Sequence, residues 1–355
     1  MTTKFVMIGY GWRADFFYRI VKYLPDTFSI CAAVLRTKKR AEEVTEKKGV
    51  FATDDLDEAL ATNPDFVVLC LPRAIVKDYL HILMEKDIPV LCETPPAKDI
   101  DELNALWELK EKYKGRVQVA EQYYVQPLYA AWLKVIEDGL LGQVSNMTLS
   151  SVHAYHAVSI FRKMLGVGFE NCTIRAKQYE FDVTETGSRQ GVLRTGKVKK
   201  ATRQIATLEF ESGKVGFLDF SGEQYASLIR TRRLNIQGHR GEINDLTLRY
   251  LNEKHIGVTM DLNRIDDGVY NNKGWSHQGI MLGSSFVYEN PFSHARLNDD
   301  EIAIATCLMN MKTYVTTGEG GYSLQEALQD TYIGFMIEEA NKSNQIIETK
   351  TQNWV

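Results

Sequence analysis

Apolar residues in the first third of the chain come in short unbroken runs: Phe5–Ile8, Ile30–Leu35, Phe66–Leu71, Val90–Cys92 and Val117–Ala120. A strand exposed on one face alternates apolar and polar residues. Runs apolar on both faces predict strands covered on both sides, the pattern of a parallel sheet. The intervening segments suit crossover helices. Ile100, Leu103, Leu106, Trp107 and Tyr113 recur at helical spacing after Asp99, and Leu56–Leu60 follows the capping candidates Thr53 and Asp54. This alternation predicts an α/β domain of the Rossmann type, a doubly wound parallel sheet over residues 1–122.

The pattern then changes. Pro127 opens a helix, Leu128 to Asp138, stopped at Gly139, and longer runs follow at Val144–Ser151, Ile174–Phe181, Gln204–Phe210, Val215–Ser221 and Arg233–Gln237. Turn residues at Glu211–Lys214 and Gly238–Gly241 sit where hairpins are needed. Residues 123–355 are therefore expected to form an α+β domain for substrate binding and oligomerisation, with an open, mostly antiparallel sheet. Two late helices, Glu301–Val315 and Leu324–Ser343, are apolar on one face and able to pack back on the first domain.

With 44% hydrophobic and 25% charged residues, the 355-residue chain has the make-up of a globular protein. Its formal charge of −4 gives no electrostatic reason for a nucleic-acid or anionic-membrane partner. No apolar run reaches the roughly 18 residues of a membrane span, so a cytoplasmic protein is expected. Cys31, Cys70, Cys92, Cys172 and Cys307 form no CxxC pair and read as reduced thiols, not as a disulfide framework or zinc site.

The sharpest motif follows the first run: Gly9-Tyr10-Gly11-Trp12-Arg13-Ala14, leading into an apolar helix. It has the GxGxxA spacing of a dinucleotide site. Gly9 makes the tight turn, Gly11 lets backbone approach a diphosphate, and Ala14 lets helix meet strand. At the end of the second strand an NAD-selective site usually carries an acid for the ribose diol. Here Leu35 leads to Arg36, Thr37, Lys38, Lys39 and Arg40. Arg36 is the residue expected to bind a 2′-phosphate, so NADP is favoured over NAD, whereas Lys39 belongs to a solvated helix turn. The basic stretch Arg194, Lys197, Lys199, Lys200 and Arg203 reads as a solvated hairpin arm turning at Thr195-Gly196.

With these residues in place, the chain resembles the Gfo/Idh/MocA family of oxidoreductases over nearly its whole length. The matching pieces are Gly9-Tyr10-Gly11 with Ala14, Val68–Pro72, Val90–Pro95, Ala120-Glu121-Gln122-Tyr123 with Pro127, Asp138–Gly142, His156–Gly166 and Tyr322–Ala327. The resemblance implies a hydride-transferring enzyme on a sugar, polyol or related hydroxyl compound, assembled as a homodimer or homotetramer. It also implies cofactor contacts from Trp12, Leu71, Pro72, Glu93, Thr94 and Gln122, with His156 as acid/base. Two family charges are missing. Thr94 stands where a lysine is usual, and Val152 where an aspartate precedes the histidine. Thr94 and Tyr123 are then expected to assist catalysis, and His153, Tyr155, Trp275 and His277 to bind substrate. His153 and His156 have no evident third ligand, so no metal is expected. The missing charges leave two alternatives open: a redox-neutral sugar-modifying enzyme with tightly held NAD, and a catalytically impaired cofactor-binding protein.

Overall fold

A computed structural model describes residues 2–355. The first sheet has six strands: β1 (Thr3–Ile8), β2 (Phe28–Val34), β3 (Ala52–Thr53), β4 (Phe66–Leu69), β5 (Val90–Cys92) and β6 (Val117–Val119). Their order is β3-β2-β1-β4-β5-β6 and every pairing is parallel. The crossovers carry α1 (Ala14–Tyr23), α2 (Lys38–Lys48), α3 (Leu56–Leu60), α4 (Arg73–Glu85) and α5 (Ile100–Tyr113). All residues of β4, β5 and β6 are buried, as strands with helices on both faces must be. From β1 the chain first winds outward to β2 and β3, then returns to β4 on the other side. A crevice therefore opens at the carboxyl ends of the strands, the usual place for a ligand in such sheets.

After α6 (Pro127–Glu137), β7 (Val144–Ser150) starts a second sheet, and α7 (Ala154–Leu165) follows it. Then come β8 (Cys172–Thr184), the small hairpin β9 (Gly187–Ser188) and β10 (Gly191–Val192), β11 (Val198–Phe210), β12 (Val215–Ser221) and β13 (Arg233–Gly238). The meander continues with β14 (Gly241–Asn244), β15 (Thr247–Leu251), β16 (Gly257–Ile265), β17 (Gly279–Leu282) and β18 (Ser285–Glu289). Helices α8 (Asp299–Thr317) and α9 (Leu324–Ser343) and a closing strand β19 (Ile347–Glu348) complete the chain.

This sheet has eleven strands, ordered β18-β17-β16-β15-β14-β13-β7-β12-β11-β8-β19. Only β7 and β12 pair in parallel, so the sheet is mostly antiparallel. It is larger than the sequence pattern suggested, because β14 to β18 mix polar and apolar positions without a clean period. The basic stretch also differs from expectation. Thr195-Gly196 is not the tip between two long strands. The link from β8 to β11 folds through β9 and β10, while Lys199 and Arg203 pair with Glu185 and Asp219.

Helices α7 and α9 pack together over one face of this sheet. Tyr179, Phe181, Ile205 and Phe217 stand exposed on the other. Helix α8 reaches back to α1, where Ile302, Leu308 and Met311 join Phe16, Phe17 and Ile20 in one buried cluster. No described helix is long and apolar enough to cross a membrane.

Candidate active site

The glycine turn lies at the crevice, between β1 and α1. Gly9 takes φ +103°, and a Cβ there would come within 2.3 Å of the Cys70 carbonyl oxygen, so both conformation and space demand glycine. A Cβ on Gly11 would meet nothing within 4 Å. That leaves an open cradle above the start of α1, whose first amides receive no side-chain cap. Ala14 is fully buried where helix meets strand. These features fit a dinucleotide diphosphate. Trp12 is half exposed and packs edge-on to Phe16, with the Arg189 guanidinium 4.3 Å above its ring.

At the end of β2, Arg36 is exposed and carries no ion pair or hydrogen bond among the described residues. The Thr37 hydroxyl accepts from the Arg40 amide and caps α2. Arg40 in turn pairs with Glu43. Leu71 and Pro72 close the end of β4, with Pro72 at the cap of α4.

Arg13, inside the glycine motif, ties the turn to the rest of the crevice. Its Nε donates to Glu93 Oε1 at 2.8 Å and its terminal nitrogen to Gln122 Oε1 at 2.6 Å. Burial works against its charge, but the Glu93 carboxylate outweighs burial and the guanidinium is raised above its ordinary value. Gln122 thus orients an arginine of the turn. Thr94 follows Glu93, donates its amide back to Glu93 Oε2 at 3.3 Å, and precedes a cis peptide to Pro95.

Opposite this wall, α7 presents His156, which is 5% exposed. Its Nδ1 lies 2.6 Å from Glu121 Oε2, and Glu121 Oε1 accepts the Tyr123 amide at 3.0 Å. The other ring nitrogen, Nε2, has no partner. The imidazole is walled by Tyr155, Tyr123 and His153, with ring centroids 4.2, 4.5 and 5.0 Å away. His153 Nδ1 shares a 2.6 Å hydrogen bond with the Tyr225 hydroxyl. Tyr155 lies near Thr94, and Tyr123 near Tyr225.

Burial sets the charge states. It pushes the Glu121 carboxyl up to about 8 and, helped by Arg13, the His156 imidazole down to about 3. Burial and the neighbouring His156 hold His153 down at about 3. At neutral pH the dyad therefore carries a protonated carboxyl against a neutral imidazole. Glu121 was not expected in this role. Val152 leaves no acid before the histidine, but the structure brings one from the end of β6, 35 residues earlier in sequence. The available signal was a carboxylate at the carboxyl end of a parallel strand, where Glu93 also stands.

The other expected substrate residues are placed elsewhere. His277 is buried with Nδ1 2.8 Å from Asp266, its ring stacked on Tyr288, while Trp275 lies under Arg296. Neither makes a hydrogen bond or ring contact with the His156 group. Their loop is held by β16 to β18, the far strands of the second sheet. Arg162, on α7, makes a buried ion pair with Asp330 at 2.6 Å. Burial pushes the thiols of Cys70 and Cys172 up to about 12, and those of Cys92 and Cys307 up as well. Among the described residues, no group of three or more His, Cys, Asp or Glu is placed to hold a metal ion.

A doubly wound sheet with a glycine turn at its switch point, facing a buried histidine from a second sheet, defines a two-lobed dinucleotide-binding protein. Residues 3–121 match the oxidoreductase family with NAD-binding Rossmann fold, Gfo/Idh/MocA. That match covers the nucleotide-binding lobe, about a third of the chain. It is 32% identical over 148 residues to inositol 2-dehydrogenase of Arthrobacter sp. (strain FB24), covering 40% of this chain and 43% of that one. It is 23% identical over 252 residues to inositol 2-dehydrogenase of Rhizobium meliloti (strain 1021), covering 68% and 75%. A further relative, from Bacillus subtilis (strain 168), is matched over 31% of its own length, so the alignments with this protein and the Arthrobacter enzyme each span less than half of the relative. A crystal structure of an oxidoreductase from Agrobacterium radiobacter, in complex with NAD+, L-tartaric acid and magnesium, superposes with a TM-score of 0.71 at 16% identity, covering 98% of both chains. At that identity the likeness is one of fold.

Proposed function

We propose that the protein is a pyridine-nucleotide-dependent oxidoreductase acting at a hydroxyl-bearing or carbonyl carbon of a sugar, polyol or related small molecule. The observation that carries this reading is His156: buried, anchored at Nδ1 on Glu121 and unbonded at Nε2, with the next residue after Glu121, Gln122, holding Arg13 of the glycine turn. The family and the two inositol dehydrogenases among its relatives support it.

Gly9, Gly11, Trp12 and the start of α1 hold the diphosphate, and Leu71, Pro72, Glu93 and Thr94 line the nicotinamide end. When bound, the nicotinamide supplies the hydride acceptor or donor. The protein's own task is proton transfer. His156 Nε2 exchanges a proton with the substrate hydroxyl, while Glu121 fixes the opposite edge of the ring and selects the tautomer. An Nε2 lone pair exists only when Nδ1 carries the hydrogen, which requires an ionised Glu121. The hydroxyls of Thr94 and Tyr123 and the side chains of Tyr155 and His153 orient the sugar.

Arg36, without a carboxylate partner, favours NADP over NAD. The uncovered sheet face bearing Tyr179, Phe181, Ile205 and Phe217 is where a second copy docks, giving a homo-oligomer. The test is a screen of polyols and sugars with both nucleotides, followed by appearance of reduced nicotinamide. His156→Ala is expected to abolish turnover while nucleotide affinity stays unchanged. Arg36→Ala is expected to weaken NADP binding at least ~tenfold and leave NAD within ~twofold. No measurable affinity for either nucleotide would overturn the proposal.

A further inference from the structure

Helices of this protein fall into two groups at their amino ends. Thr37, Asp55, Asp99, Asn298 and Ser323 cap α2, α3, α5, α8 and α9 with side-chain hydrogen bonds. Helices α1, α4, α6 and α7 have no such cap; α4, α6 and α7 also lack any acidic residue in their first turn, and two of these, α4 and α7, face the crevice. Both begin at the candidate active site: α4 at Arg73, which acts on His153 and His156, and α7 one residue before Tyr155. A dinucleotide diphosphate accounts for the free amides of α1. It leaves those of α4 and α7 pointing positive ends at the crevice without a partner.

Two guanidiniums flank the cluster of Tyr155, His153 and Tyr225. Arg73, from the nucleotide-binding lobe, lies 6.0 Å from the centre of the Tyr155 ring, and Arg232, from the second lobe, lies 5.8 Å from that of Tyr225. Neither has an ion pair or a hydrogen bond. Several other arginines of the fold are answered by acids: Arg19 by Glu301, Arg162 by Asp330, Arg203 by Asp219 and Arg264 by Asp299. The acids of the crevice cannot serve. Glu93 is held by Arg13, Glu121 faces His156, and Asp300 accepts from the Gln126 amide at 2.6 Å. The buried His156, its ring 4.2 Å from that of Tyr155, adds an Nε2 with no hydrogen-bond partner among the described residues.

Resting on the oxidoreductase reading above, we infer that the substrate carries an acidic group, a carboxylate or phosphate, gripped by Arg73 and Arg232 and the open end of α4 while its hydroxyl carbon faces His156. A neutral sugar would leave two cations and two helix ends unanswered, whereas an acid is steered into the crevice and oriented there. Bidentate contact from a guanidinium also fixes which hydroxyl meets the imidazole.

The test titrates D-glucuronate, glucose 6-phosphate and glucose by calorimetry into the full-length protein with NAD+ and NADP+ present, so that nucleotide phosphates are already seated. At least one acid is expected to bind ~tenfold or more tightly than glucose, with the advantage shrinking as salt rises. In R73Q/R232Q that advantage is expected to fall at least fivefold, with melting temperature and nucleotide affinity unchanged. Tighter glucuronate assigns a carboxylate, tighter glucose 6-phosphate a phosphate, and either supports the inference. Equal affinity for all three probes overturns it, as does an acid preference that survives both substitutions or is indifferent to salt. The oxidoreductase reading fails separately, if acids bind but no sugar or polyol ever yields reduced nicotinamide.

Discussion

Replacing Glu121 with glutamine removes one ionisable proton from the site and little else. The amide keeps an acceptor for the Tyr123 N–H and offers its own N–H to His156 Nδ1, so the ring is held with hydrogen on Nε2. That nitrogen can donate but cannot accept the proton of a substrate hydroxyl. Losing a positioned general base costs about 10²–10⁴ in rate, roughly 3 to 5 kcal/mol of barrier. Alcohol oxidation by the native protein is expected to rise with pH as Glu121 ionises near 8, and that rise is expected to vanish in Glu121→Gln.

Stability gives a second readout with the opposite sense. The folded carboxyl titrates near 8 and the unfolded one near 4.5, so between those values the folded chain binds the extra proton. Native stability therefore falls as pH rises, by roughly 1 kcal/mol for each pH unit, and levels off above 8. Glutamine has no such slope. For a chain of 355 residues this corresponds to about 2 °C of melting temperature per unit gained by the variant over the native protein. His156, depressed to about 3, loses stability in the other direction as pH falls below 6.5, but equally in both proteins. Thermal melts at pH 5, 6.5 and 8 decide the matter. Parallel curves for the two proteins would mean that Glu121 is already ionised at neutral pH, and the reasoning would fail.

The two glycines of the turn separate fold from ligand. Gly9→Ala forces a Cβ at φ +103° to within 2.3 Å of a carbonyl oxygen and is expected to cost about 2 kcal/mol or more, seen as a lowered melting temperature. Gly11→Ala meets no atom within 4 Å and should leave the melt unchanged while weakening nucleotide binding at least ~tenfold by calorimetry. Arg162→Ala strands the buried Asp330 carboxylate and is expected to destabilise by about 3–5 kcal/mol in urea titrations. Loss of the exposed Lys134–Asp138 pair through Lys134→Ala should cost less than about 1 kcal/mol.

Much of the architecture is legible in the chain because burial on two faces leaves a plain mark. The run Phe66–Leu69 is wholly buried, and so are Val90–Cys92 and Val117–Val119. The second sheet is harder to read where one face meets water. In β16 a single residue of nine is buried, and no periodicity separates such a strand from a loop. The site shows the same division. Gly9 and Gly11 are local, since a turn is built from neighbours. The Glu121–His156 bond is not, because nothing in either residue's surroundings along the chain names the other. Trp275 and His277 show the converse: a mixture of aromatic and polar residues suggests a binding loop, yet its partners are Asp266 just past β16, Tyr288 on β18 and Arg296 before α8.

The dyad joins a carboxyl at the end of β6 to an imidazole on α7, so it exists only while the two lobes touch. If they parted, both groups would meet solvent and recover their ordinary acidities: at neutral pH the carboxyl would shed its proton and the imidazole would take up only a fraction of one. Hinge opening in this protein is thus a deprotonation event. Its heat should depend on the buffer that receives the proton, and lowering the pH from 8 toward 6 should favour the closed lobes, until proton uptake by the freed imidazole reverses the trend in stronger acid.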